Sequence, residues 1–194
     1  MVKLPIAGRV KTRLAREIGA TEATRFYRAT LHAVVARLSR QPFWKTYLAV
    51  SPDTGTSRML PQGVTRIPQG GGDLGARMQR PMRCLPPGPV CVIGTDIPSI
   101  NARDVRIAFR WLGRRDVVFG PAEDGGFWLV GMRRRPRVVY PYAGVGWSRA
   151  DTLASVEANL SRQAIARTTS LADVDSLADL ARFKSTFGRV IGSR

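Results

Sequence analysis

The stretch that most constrains this chain is Pro89-Val90-Cys91-Val92-Ile93-Gly94-Thr95-Asp96-Ile97-Pro98. A short, all-apolar run with Pro on both sides reads as a strand buried on both faces, the kind found in the middle of a parallel α/β sheet. It ends on one acid. A carboxylate at the C-terminal end of a central strand, on a tight Gly-Thr-Asp turn, stands at the crevice where open α/β sheets bind ligands. Asp96 also has a plainer reading, because Asp-x-Pro is common turn chemistry and Asp often caps a following helix. Position in a fold raises the expectation of a site without establishing one.

Composition narrows the class. A chain of 194 residues, 44% hydrophobic and 23% charged, is ordinary for one globular domain covering residues 1–194. No apolar run approaches the roughly 18 residues a membrane span needs, and no secretory h-region opens the chain, so a cytoplasmic protein is expected. Cys84 and Cys91 have neither a metal spacing nor a disulfide framework, and both are expected to be reduced and inert. The net charge of +17 invites a nucleic-acid partner. Against that, the basic residues are mostly Arg and scattered, only Arg133-Arg134-Arg135 with Arg137 is dense, and aromatics do not alternate with them as stacking platforms. An anionic small substrate fits the charge equally well.

The chain opens with Lys3-Leu4-Pro5-Ile6-Ala7-Gly8-Arg9-Val10-Lys11-Thr12-Arg13-Leu14. Gly and Pro followed by basic residues at the start of a helical pattern make a loop able to surround phosphate oxygens, with Lys11 and Arg13 as the fingers. A solvated first turn is the alternative, although bases there oppose the helix dipole unless an anion offsets them. Thr21 is the expected N-cap of a packing helix carrying Ala23, Phe26, Tyr27, Thr30, Val34 and Leu38 at helical spacing. His32, the one histidine, falls within it and has no assigned role; a Ser-His-Asp triad would have to use it. Strands are expected at 45–50 and 64–67. Between them and the Asp96 strand lies Gln69-Gly70-Gly71-Gly72-Asp73-Leu74-Gly75-Ala76-Arg77-Met78. Three glycines allow close backbone approach to a ligand, and Asp73 can cap a helix ending near Cys84. A flexible linker would not run straight into an apolar-periodic helix.

Beyond Asp96 the pattern predicts a helix over 101–112 and a strand over 117–120. Gly120-Pro121-Ala122-Glu123-Asp124-Gly125-Gly126-Phe127 then places two acids and two glycines between apolar strands. A plain hairpin needs the glycines but not both acids, so Asp124 is the second candidate carboxylate and Glu123 the weaker of the two. Ser148 is the expected N-cap of a helix over 149–160, a last strand is expected at 164–168, and 171–180 opens a final helix. There Asp175 reads as a cap, while Asp173 is placed to reach the site from a neighbouring loop.

These blocks together carry a resemblance. K-x-P-x-x-G-x-x-K-T-R-L at Lys3 to Leu14, Q-G-x-G-D-L-G-x-R-M at Gln69 to Met78, G-T-D-x-P at Gly94 to Pro98, G-P-A-x-D-G-G-F at Gly120 to Phe127, and D-x-D near the end resemble the bacterial GT-A-like glycosyltransferase family. That family is similar to nucleotide-diphospho-sugar transferases and, more distantly, to cofactor guanylyltransferases. The resemblance implies a Rossmann-like, three-layer α/β/α sandwich with a mostly parallel sheet. It further implies a nucleotide sugar or nucleoside triphosphate as substrate and Mg²⁺ or Mn²⁺ on Asp96, with Asp124 or Asp173 as a further ligand. Asp96 and Asp124 would be the catalytic pair, and Lys3, Gly8, Lys11, Arg13, Gly72, Asp73, Arg77, Gly125 and Gly126 would face the nucleotide and its phosphates.

Members of that family open with an apolar strand, where this chain has only Met1 and Val2. The first strand is therefore expected to be truncated, and codons in frame ahead of Met1 are expected to encode about five to seven apolar residues. The leading expectation is a metal-dependent glycosyltransferase acting on an unknown small-molecule acceptor. A nucleotidyltransferase using the same residues, and a non-catalytic basic binding protein, are the alternatives.

Overall fold

The structure, a computed structural model, describes residues 1–54 and 58–191, with side chains as far as residue 186. In chain order its elements are β1 (Val2–Lys3), α1 (Thr12–Ile18), α2 (Ala20–Ser39), β2 (Tyr47–Ser51), β3 (Thr65–Pro68), α3 (Leu74–Cys84), β4 (Val90–Ile93), α4 (Ala102–Leu112), β5 (Val117–Pro121), β6 (Phe127–Met132), α5 (Thr152–Ala158), β7 (Ile165–Arg167) and α6 (Leu177–Ile191).

The apolar run before Asp96 forms β4, and its side chains alternate between two cores. Val90 and Val92 pack with Met78 and Met82 of α3 and with Leu153 and Val156 of α5. Cys91 and Ile93 lie against a second cluster containing Val34 and Leu38 of α2 and Val105, Ala108 and Leu112 of α4. A strand apolar on both faces needs cover on both, and the result is the three-layer α/β/α sandwich.

Strands β1, β2 and β3 are parallel neighbours in one sheet, and a second sheet has the order β4-β6-β5-β7. β5 and β7 run parallel, while β6 is antiparallel to both β4 and β5. β4 thus lacks the parallel neighbour on that side that its sequence predicts. The glycine-rich turn at 122–126 folds β6 back along β5, and β6 then lies between β5 and β4. The two sheets meet at the first residue: the Met1 amino group donates to the Ile93 carbonyl at 2.7 Å, and the Thr95 hydroxyl donates to the Met1 carbonyl at 3.2 Å.

β1 is two residues long and pairs with β2 only at Val50 and Ser51. Beside it, Lys45 to Ala49 on one side and Val90 to Ile93 on the other line a cavity of about 630 Å³, walled by Val34, Leu38, Pro81 and Phe109. This slot has the position of a longer first strand.

Local capping signals largely hold. The Asp73 carboxylate accepts the Ala76 N–H at 2.8 Å to start α3, and Asn101 accepts from Arg103 and Asp104 to start α4. Two expected caps are corrected. Gly19, at φ 86, breaks the chain between α1 and α2 and takes the N-cap position expected of Thr21. Ser148 lies in the left-handed region at φ 61, and the Thr152 hydroxyl accepts the Arg149 N–H, so α5 starts at Thr152 and not at 149. The densest basic run is partly structural, because Arg133 pairs with Asp116 and the Arg134 guanidinium donates to the carbonyls of Leu85, Pro86 and Gly88. His32 Nε2 lies 2.8 Å from the Met59 carbonyl, and both cysteines are free. Among the described residues no helix is long and apolar enough to cross a membrane.

Candidate functional site

Loops leaving the C-terminal ends of β1, β4, β5 and β7 converge on one group of charges. The first loop ends at Lys11, which sits in the left-handed region at φ 46 and ψ 46. That conformation costs a side-chain-bearing residue roughly 1–2 kcal/mol. The Lys11 side chain is 3% exposed, and its Nζ lies 2.7 Å from Asp175 Oδ1 and 3.6 Å from Asp96 Oδ1. It also donates to the Asp96 carbonyl at 3.4 Å. Arg13, two residues on in the first turn of α1, brings Nη1 to 4.0 Å from Asp175 Oδ2 while remaining 73% exposed.

Asp96 follows β4, and its carboxylate is 55% exposed beside the Lys11 ammonium. Behind it, Tyr27 of α2 accepts the Lys3 N–H and donates to the Lys3 carbonyl, both at 3.0 Å. Burial first, and the Asp96 charge second, push the Tyr27 hydroxyl up to about 12. Asp175 is not the cap its position suggests. Ser176 takes that role, its hydroxyl oxygen accepting the Asp179 N–H, while the Asp179 carboxylate reaches back to accept the Asp175 and Ser176 N–H groups, which leaves the Asp175 carboxylate for Lys11.

From the β5–β6 turn, Asp124 Oδ1 accepts the Gly126 N–H at 2.9 Å. Gly125 has φ 85, and a Cβ there would stand 2.0 Å from the Ala150 carbonyl, so the turn is fixed against the segment before α5. Glu123 pairs outward with Arg182 of α6. Asp173 completes the group: burial, then the charges of Asp175 and Asp124, push its carboxyl from 3.8 up to about 6, with Lys11 opposing.

That shift has a sign. The folded state holds the Asp173 proton more tightly than the unfolded chain does, so the contribution to stability is present in acid and is lost as pH rises from 3.8 to about 6. Asp173→Asn is expected to stabilise the protein at pH 7 by roughly 1 kcal/mol, after discounting for the half-exposed position, and by much less at pH 4. Urea titrations of both proteins at the two pH values check this, and an equal gain at both would contradict it.

The other expected site residues make local contacts. On the loop between β3 and α3, Gly70 N–H donates to the Asp53 carboxylate at 2.9 and 3.2 Å, Asp73 caps α3, and Arg77 Nε donates to the Gly72 carbonyl at 3.0 Å. Gly75 packs so closely on Tyr142 and Trp147 that a Cβ would come within 2.5 Å of the Tyr142 side chain. Lys3 lies in β1 with its side chain exposed, and Gly8 sits at φ 76 in open space on the loop before Lys11. Lys11, Arg13, Asp96, Asp124 and Asp173 are therefore brought together, whereas the hydrogen bonds of Gly72, Asp73 and Arg77 stay within the loop before α3 and its first turn. Asp175 was missed as a member of this group, and only the D-x-D spacing of Asp173 and Asp175 held a signal for it.

Among the described residues no group of three or more His, Cys, Asp or Glu side chains is arranged to hold a metal ion. Asp96 and Asp175 are hard oxygen donors that already share one cation, the Lys11 ammonium. Mg²⁺ and Mn²⁺ need only one or two carboxylates when substrate phosphates and water supply the rest, so these residues fit such an ion.

No curated protein matches the chain. Among solved structures, the chain superposes with a TM-score of 0.85 and 28% identity on a protein from Desulfovibrio desulfuricans G20 provisionally assigned as a nucleotide-diphospho-sugar transferase; the match covers 96% of this chain and 84% of the other. The fold is that of the nucleotide-diphospho-sugar transferase class, as the sequence blocks imply. A family model described as an uncharacterized protein conserved in bacteria (DUF2064) matches residues 34–149, more than half of the length, and the chain belongs to that family.

Proposed function

We propose that this chain is a glycosyltransferase that uses a nucleotide-diphospho-sugar donor, with Mg²⁺ or Mn²⁺ held at Asp96. One observation carries the reading: Lys11, at the end of the first loop, and Arg13, in the first turn of α1, meet the carboxylates of Asp96 and Asp175 from two other strand ends, with Asp173 and, beyond it, Asp124 alongside. A site with bases for phosphate oxygens and acids left over for a metal and an acceptor hydroxyl suits departure of a diphosphate.

In this scheme Lys11 and Arg13 bind the diphosphate oxygens, and their charge stabilises the leaving group more as its negative charge grows. Asp124, oriented by the Gly126 N–H, holds the acceptor hydroxyl and takes its proton as the oxygen attacks the sugar carbon. The metal ion, when bound, neutralises charge on the departing diphosphate. Gly72, Asp73 and Arg77 would face the nucleotide from the loop before α3.

Incubation with a panel of nucleotide sugars and nucleoside triphosphates, with and without Mn²⁺, tests the reading by what is released. Nucleoside diphosphate from a sugar donor is the expected product. Release of pyrophosphate from a triphosphate would make the chain a nucleotidyltransferase, and binding without turnover would make it a binding protein. Lys11→Ala and Arg13→Ala are each expected to weaken binding of uridine or guanosine diphosphate by roughly 10- to 100-fold, the worth of a charge-assisted contact, while binding of the bare nucleoside changes little. Calorimetry reads the difference, and equal losses for both ligands would place these bases away from the phosphates.

A further inference from the structure

Resting on that reading of the site, we infer that Lys11 is a built-in counter-ion that occupies the cation position between Asp96 and Asp175 until a nucleotide diphosphate draws it away, so that metal and nucleotide bind as a coupled pair.

The geometry leads there from three sides. Asp96 and Asp175 come from loops far apart in sequence, yet both carboxylates turn onto one ammonium, at 3.6 and 2.7 Å. That ammonium is shielded, the Lys11 side chain being 3% exposed, while the two carboxylates it serves are 55% and 37% exposed. The cation is inside and its acids face the solvent, the reverse of a surface pair in which a long Lys side chain reaches out into water. Third, the same two carboxylates are the hard oxygen donors that a divalent ion would use, and one or two such acids suffice when substrate phosphates and water supply the rest.

Two cations cannot share these few ångströms without repelling each other, since like charges near 4 Å interact strongly at a partly shielded site. A metal arriving alone must therefore displace Lys11 or bind poorly beside it. A diphosphate changes the balance. Its oxygens offer Lys11 a new anionic partner and offer the metal further oxygen ligands, so each ligand favours the other by the same factor. Phosphate binding then switches Lys11 from one anion to another, and the carboxylates are released only when a substrate is present to use the ion.

The test measures Mn²⁺ binding to the full chain without nucleotide, by the loss of the free Mn²⁺ paramagnetic resonance signal. Wild type is expected to bind Mn²⁺ weakly. Lys11→Met, close in shape and uncharged, is expected to bind it about tenfold more tightly or better, and Lys11→Gln likewise if the Met variant does not fold. Arg83→Gln removes one positive charge from the far end of α3 and controls for net charge; it should leave Mn²⁺ affinity within about twofold. Equal Mn²⁺ affinity in wild type and the folded Lys11 variants would overturn the inference, as would an increase matched by Arg83→Gln. These outcomes are separable from failure of the proposed function, because a protein that binds no nucleotide can still give the Mn²⁺ difference, and an active transferase can lack it.

Discussion

Asp96→Asn is expected to reduce binding of a nucleoside diphosphate in the presence of Mn²⁺ by about 100-fold or more, the loss of a charged ligand in a shared ionic group, while the protein unfolds within about 0.5 kcal/mol of the parent. The two halves of that result have separate causes. The substitution keeps the size and planarity of the side chain, and no hydrogen bond of the fold depends on the Asp96 carboxylate, which is 55% exposed. What disappears is one of the two charges opposite Lys11. Without Mn²⁺ the variant should bind the diphosphate at least as well as the parent, because Lys11 and Arg13 remain and Lys11 has one anionic partner fewer to leave. Calorimetry with and without the ion reads both arms, and a variant that keeps the parent's Mn²⁺-dependent affinity would reduce Asp96 to a turn residue.

The second large effect belongs to the slot beside β1. The register Val2↔Val50 places Met1 opposite Ala49, and four further residues ahead of Met1 would lie opposite Leu48, Tyr47, Thr46 and Lys45, all of which line the cavity. Adding four strand-forming apolar residues there should bury each side chain for roughly 1.5–3 kcal/mol against an ordering cost of roughly 1.5 kcal/mol per residue. The net gain is centred on roughly 3 kcal/mol, an increase in Tm of roughly 6–12 °C for a chain of this size.

The extension also turns the Met1 amine into an amide. Burial lowers that amine from 8.0 to about 6, with Asp96 opposing. The unfolded chain thus binds the proton more readily, and stability rises between pH 6 and 8. An amide has no such proton, so the extended protein should lose this slope. Thermal melts at pH 6 and pH 8 check both effects, with a Gly-Ser extension of equal length as the control. An apolar extension that melts no higher than the Gly-Ser one would mean that the slot does not accept a strand.

What could be read from the sequence follows how far its causes reach along the chain. β4 is legible because its signal is local: four apolar residues between prolines, then Gly-Thr-Asp. Asp73 is legible as a cap because the N–H it accepts is three residues away. The Asp175 role was not, since its partner lies 164 residues distant and a competing cap reading was equally good locally; only Asp179, four residues on, decides between them. Ser148 failed for a related reason. A serine before a helical pattern is an ordinary cap, but here the Thr152 side chain closes the turn first. The antiparallel course of β6 also lay beyond the apolar pattern of β4, which reads the same beside a neighbour of either direction.

The pairing of Lys11 with Asp175 also sets an order on the making of this protein. Contacts of long sequence separation form late, because the chain between them must be organised before closure is rewarded. With a sequence separation of 164 between the two partners and synthesis at about 5–20 residues per second, roughly 8–33 s pass between the appearance of the lysine and that of its acid. During that interval the first loop has its base and no Asp175, and the Asp96 that Lys11 also touches arrives about midway. The charged centre is therefore among the last parts of the molecule to be completed, and a chain stopped ahead of Asp175 would carry a formed β4 and a basic loop held at Lys11 by Asp96 alone.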